Sequence, residues 1–254
     1  MFKNICKQRW AFLLFSLFFT TISALFSISG VFFSRSIVTK DIEISSDPSY
    51  QYNLPTIVID AGHGGEDGGA SIYGGAPEKE LNLLIASDLR DMLEAIGLKV
   101  VMTRSEDVLL YDKNSDYHGH KKSMDLANRL KIARETPNSI LVSIHMNAFP
   151  ETKYSGLQVY YSKNDEGSLS LALAVQEINQ KIISPQNTRK VKQAGSNIYL
   201  LDRFESPAIL IECGFLSNDS ERQLLNSAEY RQKLAVCFLS SIMKYTVESE
   251  NNIK

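Results

Sequence analysis

From residue 56 onward, short runs of β-branched and aliphatic residues alternate with stretches whose apolar positions recur every three or four residues. The runs predict strands at Thr56–Asp60, Lys99–Thr103, Ser139–Ile144, Leu157–Tyr161, Asn197–Leu201 and Ala208–Glu212. The longer periodicity predicts helices near residues 78–96, 122–135, 166–183 and 228–246. A β-α-β-α-β order predicts an α/β fold: a mostly parallel twisted sheet with helices on both faces. No internal repeat or low-complexity block interrupts the pattern, and no second domain is evident.

Upstream the pattern changes. Between Trp10 and Phe33 no residue is charged, and this run of 24 exceeds the roughly 20 apolar residues that span a bilayer. Lys3, Lys7 and Arg9 precede it, which keeps the N-terminus cytoplasmic and sends the remainder outward. Residues 1–35 therefore read as a signal peptide, with Ser27, Ser29 and Gly30 near a processing site, or as an uncleaved signal anchor. Both readings place the body outside the cytoplasm and give the chain a membrane contact only through this segment. Residues 36–55 are a polar, aperiodic linker, 56–248 the single large domain, and 249–254 a polar tail.

Charge separates the two parts. Residues 1–35 hold four basic residues and no acid, whereas the rest carries 23 Lys and Arg against 29 Asp and Glu. An acidic body lacks the basic face of a nucleic-acid binder, so that class is excluded. Of three cysteines, Cys6 precedes the apolar run, and Cys213 and Cys237 read as buried free thiols, with a pairing between them as the alternative. The domain must then be stable without a disulfide framework.

Four segments carry candidate chemistry. Asp60-Ala61-Gly62-His63-Gly64-Gly65-Glu66-Asp67-Gly68-Gly69 follows the first strand, and its glycines let the backbone turn tightly around His63. It lacks the Lys-Ser/Thr of a phosphate-cradling loop. Pro77-Glu78-Lys79-Glu80 opens a helix whose apolar stripe runs through Leu81, Leu84, Ile85, Leu89, Met92 and Ile96. At about 100° per residue Glu78 falls within that stripe, and Glu80 about 140–160° away from it. A carboxylate aimed inward needs a partner, so Glu78 is the candidate and Glu80 a solvated acid. His145 ends an apolar strand, and Glu212 follows five apolar residues at the end of another. The pair His118 and His120 sits in a polar loop that reads as solvated and substrate-facing, with a second metal site as the alternative. Tyr160, Tyr161 and Tyr199 read as strand packing.

In an open parallel sheet, ligands bind outside the carboxyl ends of the strands. His63, His145 and Glu212 all fall at such ends, with Glu78 at the start of the helix on the same side. Two histidines and one glutamate make a three-ligand zinc site with an open position, and a second carboxylate at its rim supplies a base.

Together these motifs, with Thr103-Arg104 and the Pro207-to-Asn218 segment, resemble the zinc-dependent N-acetylmuramoyl-L-alanine amidases of bacterial cell walls (amidase type 3) over residues 56–247. The resemblance implies that His63, Glu78 and His145 bind Zn2+ and that Glu212 is the catalytic acid/base. It implies a peptidoglycan substrate, cut between the lactyl group of N-acetylmuramic acid and L-alanine. The short build looks most like the sporulation and germination amidases, which act in making muramic lactam in spore cortex, and it offers an accessory lipoprotein as a partner. The competing expectations are a zinc peptidase or deacetylase acting on another wall bond, and a non-catalytic wall-binding scaffold. Departures from the family pattern are a longer Asp107-to-Ser123 stretch, Ala133-Arg134 in place of Ala-Asn, and Cys213 in place of a small or hydroxyl residue.

Overall fold

The computed structural model describes residues 54–71, 75–114 and 119–251. The apolar run of residues 10–33, the linker up to residue 53, His118 and the last three residues of the tail lie outside them. No helix among the described residues is long and apolar enough to cross a membrane.

The strands are β1 (Thr56–Ala61), β2 (Val100–Met102), β3 (Ser139–Asn147), β4 (Gln158–Tyr161), β5 (Lys192–Gln193) and β6 (Ala208–Phe215). The helices are α1 (Glu78–Ala95), α2 (Lys121–Glu135), α3 (Gly167–Ile182), α4 (Tyr199–Arg203), α5 (Asp219–Asn226) and α6 (Ala228–Asn251). One six-stranded sheet runs β2-β1-β3-β6-β4-β5. All neighbouring pairs are parallel except β4 with β6.

Strand alternation sorts the core into two layers. Ile57, Ile59, Ile140, Val142, Ile209 and Ile211 point to one face, where they pack on α1, α3 and α6. Val58, Leu141, Ala208 and Leu210 point to the other, against Leu130 and Ala133 of α2 and Leu200 and Leu201 of α4. Helices therefore cover both faces, as the sequence predicts, and Cys213 and Cys237 are buried and free.

The edges of the sheet differ from expectation. Asn197–Leu201 is not a strand: from Tyr199 it forms α4, because Leu200 and Phe204, one helical turn apart, both face the second core cluster. The edge position goes instead to Lys192–Gln193, two exposed polar residues with no apolar signal. Helix α5 was absent from the periodicity, although Asn218 caps it by accepting a hydrogen bond from the Glu221 backbone N–H, an Asn-x-x-Glu signature. Helix α6 continues through Asn251, past the domain boundary at 248. On α1 the buried stripe is Glu78, Leu81, Asn82, Ile85, Ala86, Leu89 and Leu93; Leu84 and Ile96 are exposed.

Candidate metal centre

The chain leaves β1 at Ala61 and enters α1 on one face of the sheet, while α2 lies against the other. Between them, outside the carboxyl ends of β1 and β3, the structure brings His63, Glu78 and His145 together. His63 Nε2 lies 3.2 Å and His145 Nδ1 3.0 Å from Glu78 Oε1. The two imidazole rings meet edge to face with centroids 5.0 Å apart. One ligand atom from each of the three residues lies within 4.8 Å of the others. Glu78 is buried and Glu80 exposed, in keeping with the helical phase.

Each side chain is held by its surroundings. Glu78 Oε2 accepts the Ala70 N–H at 2.8 Å, and Oε1 accepts the Met146 N–H at 3.0 Å. Burial works against the charge of this carboxylate, but hydrogen bonds and charge from His145 and His63 outweigh it and hold its pKa well below the usual range. Burial likewise opposes protonation of His63, yet Glu78 and then Asp67 raise its pKa above the ordinary value. Asp67 Oδ2 lies 2.8 Å from His63 Nδ1, which turns Nε2 toward Glu78, and Lys122 Nζ reaches the same oxygen at 3.1 Å.

The backbone at His63 is unusual, with φ at +61°, a left-handed conformation costly for a residue with a Cβ. Two buried arginines and an asparagine clamp the carbonyls around it. Ala61 O accepts from Arg104 Nε at 2.8 Å and Arg129 Nη1 at 2.7 Å. Gly62 O accepts from Arg104 Nη2 and Asn82 Nδ2, both at 3.0 Å, and His63 O from Arg129 Nη2 at 2.6 Å. Arg129 is itself paired with Asp60 and Asp125 at 2.8 Å. Asp60 also accepts from the Thr103 and Ser143 hydroxyls. Its burial would raise its pKa, but the Arg129 guanidinium, His145 and these bonds bring it down to about 2. Gly62 has no side chain for a plain reason: a Cβ there would stand 2.2 Å from His145 Cε1.

Glu212 lies across from His145 in the β3–β6 register, and both line a cavity of about 350 Å³ together with His63, Tyr160, Asn197 and Tyr199. Its Oε2 is buried with no hydrogen-bond partner. Burial pushes its pKa up to about 7, with the Glu78 charge adding to that and His145 opposing it. Tyr160 and Tyr199 thus wall the cavity as well as pack, and Tyr199 opens a helix rather than sitting in a strand. His120 is exposed at the start of α2.

Sequence reasoning passed over Asp67, Asn82, Asp60 and Arg129. Asp67 stood inside the glycine-rich motif without a role, and Asn82 interrupts an otherwise apolar stripe four residues after Glu78. For Arg129 the available signal was a charged residue on the inner side of α2.

The family model for N-acetylmuramoyl-L-alanine amidase matches residues 57–244, a span that contains all four residues. The chain belongs to the N-acetylmuramoyl-L-alanine amidase family. The amidase is 37% identical over 212 residues to the germination-specific N-acetylmuramoyl-L-alanine amidase of Bacillus subtilis, covering 81% of this chain and 88% of that one. Among solved structures, it matches the CwlD amidase of Clostridioides difficile, determined in complex with the GerS lipoprotein. That match has 39% identity and a TM-score of 0.71, over 75% of this chain and 98% of that chain. The AmiC2 amidase of Nostoc punctiforme matches at 30% identity and a TM-score of 0.64, over 75% and 96% of the two chains. The amidase is thus an amide hydrolase, and its cavity must admit a carbonyl carbon, a water and a departing nitrogen.

Proposed function

We propose that the amidase is zinc-dependent, with His63, Glu78 and His145 as the metal ligands and Glu212 as the acid/base. The residues fit the ion: two imidazoles and a carboxylate converge within 4.8 Å, in the His2Glu pattern that leaves a coordination position open. When bound, zinc lowers the pKa of water from about 16 to about 7 and polarises a carbonyl oxygen. The observation that carries the reading is Glu212 Oε2, a buried oxygen without a partner on the wall shared with His63 and His145. A carboxyl buried this way, with its pKa near 7, is suited to take a proton and to return it. Glu212 takes the proton from the attacking water as the new carbon–oxygen bond forms. It then gives that proton to the alanine nitrogen as the carbon–nitrogen bond breaks, leaving a lactyl carboxylic acid and a free amine, and the acid then loses its remaining proton to the amine. Asp67 fixes the His63 ring, and Arg104 and Arg129 fix its backbone, so little of the site has to reorganise.

We infer that the substrate is peptidoglycan on the outer side of the cytoplasmic membrane, reached through export by residues 1–35. The similarity to a germination-specific amidase supports a role in spore cortex, where release of the stem peptide allows muramic lactam to form. The complex of a relative with a lipoprotein supports an accessory lipoprotein partner here. The test is zinc stoichiometry and product mass on one preparation of the full-length chain, with and without such a partner. One zinc per chain with free stem peptides beginning in L-alanine is expected. No zinc under replete conditions overturns the site, and cleavage at another bond overturns the cortex role.

A further inference from the structure

Asn82 is the one polar residue in the buried stripe of α1 below Glu78, among Leu81, Ile85, Ala86, Leu89 and Leu93. It is fully buried. Its Nδ2 donates to Gly62 O at 3.0 Å and to Glu78 Oε1 at 3.4 Å, while its Oδ1 is buried without a partner. Gly62 O also accepts from Arg104, and Glu78 Oε1 from the Met146 N–H, so neither acceptor depends on Asn82 to be satisfied. An apolar residue of the same shape would leave no orphan behind and would remove the one that exists. By core packing alone, leucine suits this position better than asparagine.

We propose that Asn82 is a positioning residue for the metal ligands, retained against local stability. Its amide ties the backbone carbonyl next to His63, on the loop after β1, to the carboxylate of Glu78, on α1. Its amide bonds both the carbonyl beside His63 and the Glu78 carboxylate itself, and it sits four residues from Glu78 on the same helix face. Arg104 spaces the two backbones, and the Asn82 tie aims the Glu78 carboxylate toward the His63 turn before the ion arrives. Arg104 Nη2 joins the same Gly62 carbonyl to the Lys79 backbone carbonyl of α1 at 2.7 Å but does not touch the carboxylate, and the Ala70 and Met146 N–H groups reach the carboxylate but not Gly62 O. The inference rests on His63 and Glu78 being zinc ligands.

The test compares zinc affinity and thermal stability in Asn82→Leu and Asn82→Ala, using the full-length chain. Zinc dissociation constants are measured by competition with a chromophoric chelator, and melting temperatures on metal-free protein. Partners outside the first coordination sphere typically contribute 10–100-fold to metal affinity. Asn82→Leu is expected to melt at or above the wild-type temperature while its zinc dissociation constant rises 10–100-fold. Asn82→Ala, which leaves a cavity, is expected to lose thermal stability and to weaken zinc binding by the same factor, since the lost tie is the same. Unchanged zinc affinity in Asn82→Leu overturns the proposal. So does affinity that falls in proportion to melting temperature across the two variants, as does a leucine variant that fails to fold. Wild-type protein that binds no zinc overturns instead the ligand assignment on which the proposal rests.

Discussion

His145 and Glu212 are register partners on adjacent parallel strands, and both face the cavity. The pairing places a nitrogen-bearing ring beside an oxygen that no donor reaches, on two rigid strands rather than on loops. Replacing Glu212 by Gln keeps the shape and removes the proton-transfer capacity. Glu212→Gln should retain one zinc per chain and lose on the order of 10²–10⁴ in kcat. Loss of zinc along with the rate, measured by metal analysis of the same sample, would make Glu212 a ligand.

Asp67 holds His63 Nδ1 at 2.8 Å and makes no contact with Glu78 in the hydrogen-bond pattern. Toward an ion held by His63 its role would be indirect, through ring orientation. Asp67→Ala should weaken zinc binding roughly 10–100-fold, read by chelator competition, while saturating zinc restores most of the rate.

Gly62 is fixed by the His145 ring rather than by its own backbone angles. In Gly62→Ala the added carbon would overlap Cε1 at 2.2 Å, so the ring must swing out of line with Glu78. The expected result is a folded protein, by circular dichroism, with little bound zinc and no measurable cleavage.

Asp60 ties the site to acid stability. Its pKa of about 2 in the folded chain compares with an ordinary value of 3.8, a gap that corresponds to roughly 2 kcal/mol. Because the folded value is the lower one, this stability is fully present above about pH 5. It is lost as pH falls through 3.8 toward 2. Urea titrations of metal-free protein between pH 3 and pH 6 should show stability rising with pH. Asp60→Asn should flatten that rise and cost on the order of 3 kcal/mol at neutral pH, because Arg129 loses a buried partner.

The convergence of His63, Glu78 and His145, the place of Glu212 across from His145 and the layered sheet were legible in the sequence for a common reason. Apolar runs end abruptly in His145, and the Glu78 phase follows from α1 periodicity, so burial and charge conflict visibly. The supporting residues were not legible in the same way. Arg129 and Asp60 are partners 69 positions apart, and nothing local says that one will neutralise the other. The 197–201 run reads as a strand although it starts a helix, because its apolar content suits a strand and a short helix equally. Its neighbour Lys192–Gln193 joins the sheet through backbone bonds alone, which leave no trace in side-chain pattern. Helix α5 is too short and too polar for periodicity, and only its cap announces it.

The centre is assembled from opposite sides of the sheet. Glu78 arrives on α1, whose packing belongs to one hydrophobic layer, and His63 is held by Arg129 of α2, which lies on the other. A chain that has docked only the first layer leaves the His63 turn without its Arg129 clamp. A chain that has docked only the second has no carboxylate for the imidazoles to meet. Assembly of the centre therefore requires both layers to be docked at once, so loss of either one dismantles it.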